Sequence, residues 1–448
     1  MDKVLCRDIA SSQSILSSDA ISTQRFKLML FANHSIKLNP IALSLLGLFV
    51  CNGSHASALE QSGQSILPFL ENGNYAEMNL FAVDSSVSGV IRDRPDIVRE
   101  NQNRDTGDIG KNTQFYTAAL KLQLTDQLNF GVLFDQPFGA EIAYPLRPNN
   151  TYSDNDTSKE GTSVKVETQN ISMLLGYAPF KNFQIYGGPV YQEVKGKVSF
   201  RGAAYTEAYN GYNANFKKDA ELGWLAGASY QIPDMALKAA ITYRSKIKYD
   251  FQVDEDIFGQ PIELVAPAKT RLETPQSINI DFQTGIAEKT LVYTSLRWVN
   301  WKKFETRPNQ FGAISEILTS EATGGEYTKG FKLDTYQKDQ YSATIGLGQQ
   351  FTDKWSASTD ISWDSGTGHP ASTLGPMKGS WSLGLGAQFN PAPNYFIAGG
   401  VKYFWLGDVT SEDGTYYLPI EGIKTVAEQA EFRNNHALAY VLKFGYRF

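Results

Sequence analysis

Residues 434–448 constrain this chain more than any other stretch. Phe448, Tyr446, Phe444, Leu442, Tyr440 and Leu438 occupy one set of alternate positions, and Arg447, Gly445, Lys443, Val441, Ala439 and Ala437 the other. A period of two puts the sets on opposite faces of a strand. A face this aromatic, running to a terminal Phe, suits contact with lipid and an interfacial girdle. The competing reading is a soluble β-protein whose apolar face turns toward a core.

Composition narrows the choice. Mean hydropathy is −0.31 and charged residues make up 20%, which excludes a helical membrane protein. The longest apolar run, residues 41–50, is too short to span as a helix. It follows Lys37 and precedes Ala56-Ser57-Ala58, the layout of a secretory signal. We therefore expect residues 1–58 to be a signal peptide; Met29 offers an alternative start, making 1–28 an upstream extension. Cys51 raises a lipoprotein alternative, but Leu48-Phe49-Val50 lacks the small residue expected before a lipidated cysteine. Both cysteines, Cys6 and Cys51, precede residue 59, so disulfide and thiolate chemistry are not expected beyond it. Removing five basic and three acidic residues leaves 36 against 44, net −8, with no general pull toward nucleic acid.

From residue 74 onward, alternating segments recur fourteen times. Short turns rich in Pro, Asp, Asn and Lys, such as Thr125-Asp126-Gln127 and Thr352-Asp353-Lys354, alternate with long polar connections near 88–113, 137–163, 200–220, 251–269, 305–336, 365–378 and 407–433. That asymmetry belongs to an outer-membrane barrel, and an even strand count leaves both ends on the short-turn, periplasmic side. Trp355, Ala357, Thr359, Ile361 and Trp363 alternate with Ser356, Ser358, Asp360, Ser362 and Asp364. Lipid would not tolerate the polar set, so it must face a lumen. The fold class expected is all-β: a fourteen-stranded antiparallel transmembrane barrel over 74–448, with a short segment at 59–73 before it. A terminal aromatic strand also resembles the signal read by the bacterial barrel-assembly machinery.

Four segments carry a more specific likeness: Gly73-Asn74-Tyr75-Ala76-Glu77, Asp135-Gln136-Pro137-Phe138-Gly139-Ala140, Thr274-Pro275-Gln276-Ser277-Ile278 and Arg297-Trp298-Val299-Asn300-Trp301. In this order, on a fourteen-strand pattern, the chain resembles the FadL family of outer-membrane transporters for long-chain fatty acids and other hydrophobic compounds. The resemblance implies a monomeric barrel with an inward-folded hatch, here carrying Ser62, Gly63, Ile66 and Leu67. It also implies ligand capture among extracellular loops and lateral exit at a kink in the third strand, at Gln136, Pro137, Phe138 and Gly139. The family's Asn-Pro-Ala hatch motif is absent and only residues 59–72 precede the first strand, so a less complete plug is expected.

The kink has a reading of its own. Pro137 lacks an N–H and Gly139 weakens a strand, so the ladder should break there, leaving either an opening or the end of the strand. Four cations, Lys238, Arg244, Lys246 and Lys248, share one face of the seventh strand, opposite Leu237, Ile241, Tyr243, Ile247 and Tyr249. Facing lipid, each would cost roughly 2–4 kcal/mol near the midplane. They are expected to face the lumen, either in a network with Glu77, Asp281 and Asp360 or with Arg244 and Lys246 holding a fatty-acid carboxylate. Tyr205, Tyr209, Tyr212 and Phe216 in one loop, and Phe258 and Leu264 in the next, are candidates for a surface capture groove or for loop packing.

No catalytic constellation is visible. Beyond residue 58 the only histidines are His369 and His436, and no metal-spaced cluster or nucleotide loop occurs, so neither enzyme activity nor a cofactor is expected. The function expected is passive, ligand-specific passage of a hydrophobic compound across the outer membrane of a Gram-negative bacterium. A general diffusion porin and a structural or adhesive surface protein are the alternatives.

Overall fold

The computed structural model describes residues 59–93, 101–369, 371–412 and 428–448. The expected signal peptide, 1–58, lies outside them. Fourteen antiparallel strands close into a barrel. They are β1 (Tyr75–Ser86), β2 (Thr113–Gln123), β3 (Leu128–Asp135, resuming at Gly139–Ala143), β4 (Ser163–Phe180), β5 (Phe183–Ser199), β6 (Tyr212–Ile232) and β7 (Leu237–Arg244), followed by β8 (Ser277–Ala287), β9 (Thr290–Val299), β10 (Gln340–Gln350), β11 (Trp355–Asp364), β12 (Ser380–Ala392), β13 (Tyr395–Leu406) and β14 (His436–Arg447). Closure is made by β1 against β14, in continuous register from Tyr75↔Arg447 to Ser86↔His436. No edge strand remains to expose unpaired backbone to lipid at this seam.

The period-two pattern sorts side chains as its chemistry requires. On β14, Tyr440, Leu442, Phe444 and Tyr446 are exposed, while Ala437, Val441 and Lys443 are buried. Trp363, Trp381 and Trp405 stand side by side on β11, β12 and β13, all exposed. Toward the short-turn end, the rings of Trp355 and Phe389 lie 4.6 Å apart and those of Tyr446 and Phe448 5.5 Å apart. Trp355 and Trp363 are separated by about 26 Å of strand, close to the height of an outer-membrane apolar band. A one-residue slip would turn Asp360 and Lys443 into lipid, so the register is strongly specified.

Inside, two buried cations are neutralised locally. Lys402 pairs with Asp360 at 2.8 Å and Lys443 with Glu77 at 2.7 Å, all four side chains nearly inaccessible. Ser362 accepts a further hydrogen bond from Lys402.

The long connections build a cap on the opposite side from the short turns. Its one long helix among the described residues, α1 (Asn309–Ala322), lies in a stretch whose sequence reads as a polar loop. The backbone N–H groups of Gln310 and Phe311 donate to the Glu255 carboxylate at 2.8 and 2.7 Å, satisfying donors that a helix start leaves free. Tyr205, Tyr209, Tyr212 and Phe216 are buried rather than presented at the surface. Tyr209 stacks on Phe311 at 4.6 Å and Tyr205 on Phe200 at 4.2 Å, so these tyrosines form the core of the cap.

Breaking a buried ion pair strands the remaining charge at a cost of about 3–5 kcal/mol. Lys402→Ala should therefore lower the temperature at which the folded barrel unfolds on a heat-modifiability gel. Lys402→Met combined with Asp360→Leu should recover most of the loss.

Candidate functional site

The wall is interrupted at the third strand. β3 pairs with β4 up to Asp135↔Asn170, and the ladder resumes at Gly139↔Glu167, so Gln136, Pro137 and Phe138 stand opposite two residues of β4. On the other side the pairing of β2 with β3 stops at Ala118↔Phe134. Residues 113–117 of β2 pair with β1 but have no strand beside them on the β3 side. One bond from the Tyr116 N–H to the Gln136 side-chain oxygen, 3.0 Å, crosses the gap. Above it, an isolated bridge of Gly110 with Ile142 closes the upper margin. The strand thus continues past Pro137 and leaves a window in the wall.

Residues 59–72 repair the kink from within. Gly139 donates its N–H to Leu59 O at 2.7 Å, and Gln61 donates to Pro137 O at 2.8 Å. Phe138 N–H donates to the Thr168 hydroxyl, which in turn donates to Phe138 O. A Cβ on Gly139 would lie 2.5 Å from the Gln61 side-chain oxygen, so Gly139 lets the hatch press against bare backbone. Farther along, Ser62 donates to Asp135 at 2.9 Å, Asn279 to Gly63 O at 3.1 Å and Arg244 to Gln64 O at 2.8 Å. Glu60 and Arg297, both all but inaccessible, form an ion pair extended by Asn279 and Gln64. Ile66, Phe69 and Leu70 are buried, and Phe69 sits over Gly131 and Gly176. Glu71 closes the segment by pairing with Lys238 at 3.1 Å and Arg447 at 2.8 Å. Short as it is, the segment is bonded to opposite sides of the barrel.

It divides the lumen. On the short-turn side lies a polar space lined by Glu71, Glu77, Asp135, Lys238, Arg244 and Lys443. On the cap side lies an apolar cavity, partly continuous with solvent. Phe138, Val166, Phe251, Leu272, Phe304 and Leu374 are among its walls, and Gly139, Ala140, Glu141 and Ile142 bring it to the window. Phe138 packs edge-on against Trp301 at 5.5 Å, and Trp301 against Phe304 and Tyr336 at 5.5 and 5.1 Å. Thus Phe138-Gly139, Thr274-Pro275 and Trp301, far apart in sequence, meet at one cavity.

The candidate site residues fall in different places. Ser62, Gly63 and Ile66 are buried in the hatch, and Leu67 borders the polar space. Arg244 faces the polar space, with Nε and Nη1 lacking partners. Lys246 is a correction. Ser245 and Lys246 leave the ladder after β7, which reverses the alternation: Ile247 and Tyr249 are buried, whereas Lys246 and Lys248 turn outward and pair with Glu273. Their ion pairing holds the Glu273 carboxyl below its usual range, the hydrogen bond from Lys246 first. Phe258 and Leu264 are exposed on the cap, away from the cavity. The cavity residues Thr306, Leu333, Asp334 and Tyr336 lie in a segment with no strong periodicity, and nothing in the sequence singles them out.

A closed barrel with an internal hatch, a broken wall and an apolar chamber defines an outer-membrane transport barrel. Over residues 66–448 the chain matches the family described as outer membrane protein transport protein (OMPP1/FadL/TodX). The chain belongs to that family and is an outer-membrane protein. It is similar to the long-chain fatty acid transport protein of Escherichia coli K12, 23% identical over 344 residues that cover 67% of this chain and 72% of that one. The Salmonella typhi protein of the same description is 22% identical over 332 residues, covering 67% and 71%. A solved FadL homologue of Pseudomonas aeruginosa shares the fold with a TM-score of 0.63 at 16% identity, over 84% of this chain and 91% of that one. The toluene transporter TodX of P. putida does so at 0.57 and 11%, over 85% and 92%.

Two outcomes follow from this geometry. Gly131→Val would place its Cβ 2.4 Å from the Phe69 ring. It should loosen the hatch, seen as faster hydrogen exchange at 66–70 with the β3 and β4 amides still protected. Arg244→Ala removes a hatch bond outside the apolar cavity, so binding of a long-chain fatty acid and of its methyl ester should change equally. A loss confined to the acid would instead assign Arg244 to the carboxylate.

Proposed function

We propose that this protein takes up a long-chain fatty acid or a related hydrophobic compound by passive diffusion, holding it in the apolar cavity and releasing it sideways through the window at the third strand. The observation that carries this reading is the junction of cavity and window at Phe138–Ile142. Each methylene moved from water into an apolar wall gains about 0.8 kcal/mol. Passage from the cavity into the bilayer keeps that gain, because both are apolar. Passage onward past Glu71, Lys238 and Lys443 would forfeit it. The lateral route therefore keeps the gain that the axial route gives up.

Exposed Phe258, Leu264 and Val265 supply apolar contacts on the cap for first capture. Displacement of residues 59–61 would free Phe138 and Gly139, whose pairing with the hatch holds the inner margin of the window. With the hatch bonded across the lumen, passage of small polar solutes as in a general porin is disfavoured.

Ala140→Trp would fill the cavity at the window's inner margin. In cells lacking other fatty-acid uptake, this variant should reduce uptake to near background while its heat-modifiability stays that of the parent. Liposomes carrying the parent protein should not swell in small sugars. Full uptake by a well-folded Ala140→Trp protein would mean another exit, and rapid swelling would support a porin.

A further inference from the structure

Three buried polar atoms of residues that line the apolar cavity have no hydrogen-bond partner among the described residues: Trp301 Nε1, Thr306 Oγ1 and Asp334 Oδ1. They belong to one connection, between β9 and β10. Thr306 and Asp334 face each other in a two-strand ladder, Thr306↔Asp334 beside Glu305↔Thr335. Opposite residues of an antiparallel pair project to the same side. Trp301 and Thr306 are almost wholly inaccessible; Asp334 is half-buried as a residue, with Oδ1 closed off from solvent. A buried polar group left unpaired costs about 1–3 kcal/mol, so three on one cavity are a standing demand for a partner.

Their chemistry specifies that partner. An indole N–H only donates, a hydroxyl does both, and a carboxyl accepts when ionised and can donate when not. Burial pushes the Asp334 carboxyl up to about 7, against hydrogen bonds from the Ser372 hydroxyl and the Thr335 N–H that hold it lower. Among the described residues no cation forms an ion pair with it. Glu305 and Lys332, which flank the ladder, pair with each other at the surface. Glu141 and Lys195, also bordering the cavity, are engaged with Lys165 and Glu167, and the Lys197 side chain is exposed. An ionised head group would therefore meet a second negative charge as pH rises through about 7. A neutral group with an O–H would meet donors and an acceptor.

Building on the proposed role of the cavity, we propose that Trp301, Thr306 and Asp334 bind the head of a neutral, hydroxyl-bearing amphiphile: a long-chain alcohol, or a fatty acid in its un-ionised form. The apolar walls hold the chain, the three polar atoms hold the O–H, and the carboxylate form is rejected.

The test is displacement of a fluorescent hydrophobic probe from the purified protein in detergent by hexadecanol, its methyl ether and hexadecanoic acid. The one hydrogen bond that the alcohol donates and the ether cannot should make the alcohol bind about tenfold more tightly. The acid should match the alcohol at pH 5.5 and fall behind it at pH 8.5. Thr306→Val with Asp334→Leu should erase the alcohol's advantage while retaining the ether. Asp334→Asn, the conservative variant, should keep the advantage and shrink the acid's loss at pH 8.5. Equal binding of alcohol and ether by the parent protein would overturn the head-group contact and leave the cavity's role standing. Failure of all three compounds to displace the probe would overturn both.

Discussion

Everything distinctive about this barrel depends on how the lost hydrogen bonds at Gln136–Phe138 are replaced. Inside a bilayer an unpaired backbone group costs several kcal/mol, which is why barrels close and rarely break. Here Pro137 has no N–H to give, and β2 and β3 part company above Ala118↔Phe134. The bonds return from the lumen: Leu59 and Gln61 act as a short strand against Pro137 and Gly139, and Thr168 serves Phe138 with one hydroxyl as both acceptor and donor. Because the repair comes from inside, Pro137, Phe138 and Gly139 stay hydrogen-bonded although β2 and β3 have parted. The same repair draws Phe138 inward onto Trp301 and so shapes the cavity.

The hatch also sets the polarity of the lumen on its two sides. Its own charged and carbonyl groups face Arg244, Asn279, Arg297, Lys238 and Arg447, and this collects the cations around 59–72 and toward the short turns. The cap side is walled mainly by apolar residues such as Val166, Phe251, Leu272 and Phe304, with Glu141, Lys195, Lys197 and Asp334 as its charged lining. A buried ion pair seldom adds net stability over a well-packed apolar contact. What Glu60–Arg297 adds is position: it fixes the first residues of the hatch where the kink needs them.

The barrel was largely legible in the chain because lipid on one side and a lumen on the other impose an alternation that cannot drift. Trp355 to Asp364 and Leu438 to Phe448 display it residue by residue, and the faces in the structure follow it. Where both faces meet protein or water the signal fails. Lys246 and Lys248 continue the inward cationic face of β7 in the sequence, yet the break at Ser245-Lys246, outside the strands, reverses it. Tyr205, Tyr209 and Tyr212 look like surface aromatics and are instead the cap's core, stacked around Phe200 and Phe311. Helix α1 has Asn and Gln at its start, and its partner Glu255 lies some fifty residues earlier, so no local pattern announced it.

The sequence by itself determined the strands, their number, which face of each meets lipid, and the weak point at Pro137 and Gly139, since these follow from local period and from two residues' backbone chemistry. Only the tertiary structure decided what meets that weak point. The pairing of Leu59 with Gly139, the cavity that gathers Phe138, Thr274 and Trp301, and the facing of Thr306 with Asp334 all join residues far apart in the chain. Such contacts depend on which loops close over the lumen and how the hatch turns inside it, and no periodicity encodes either.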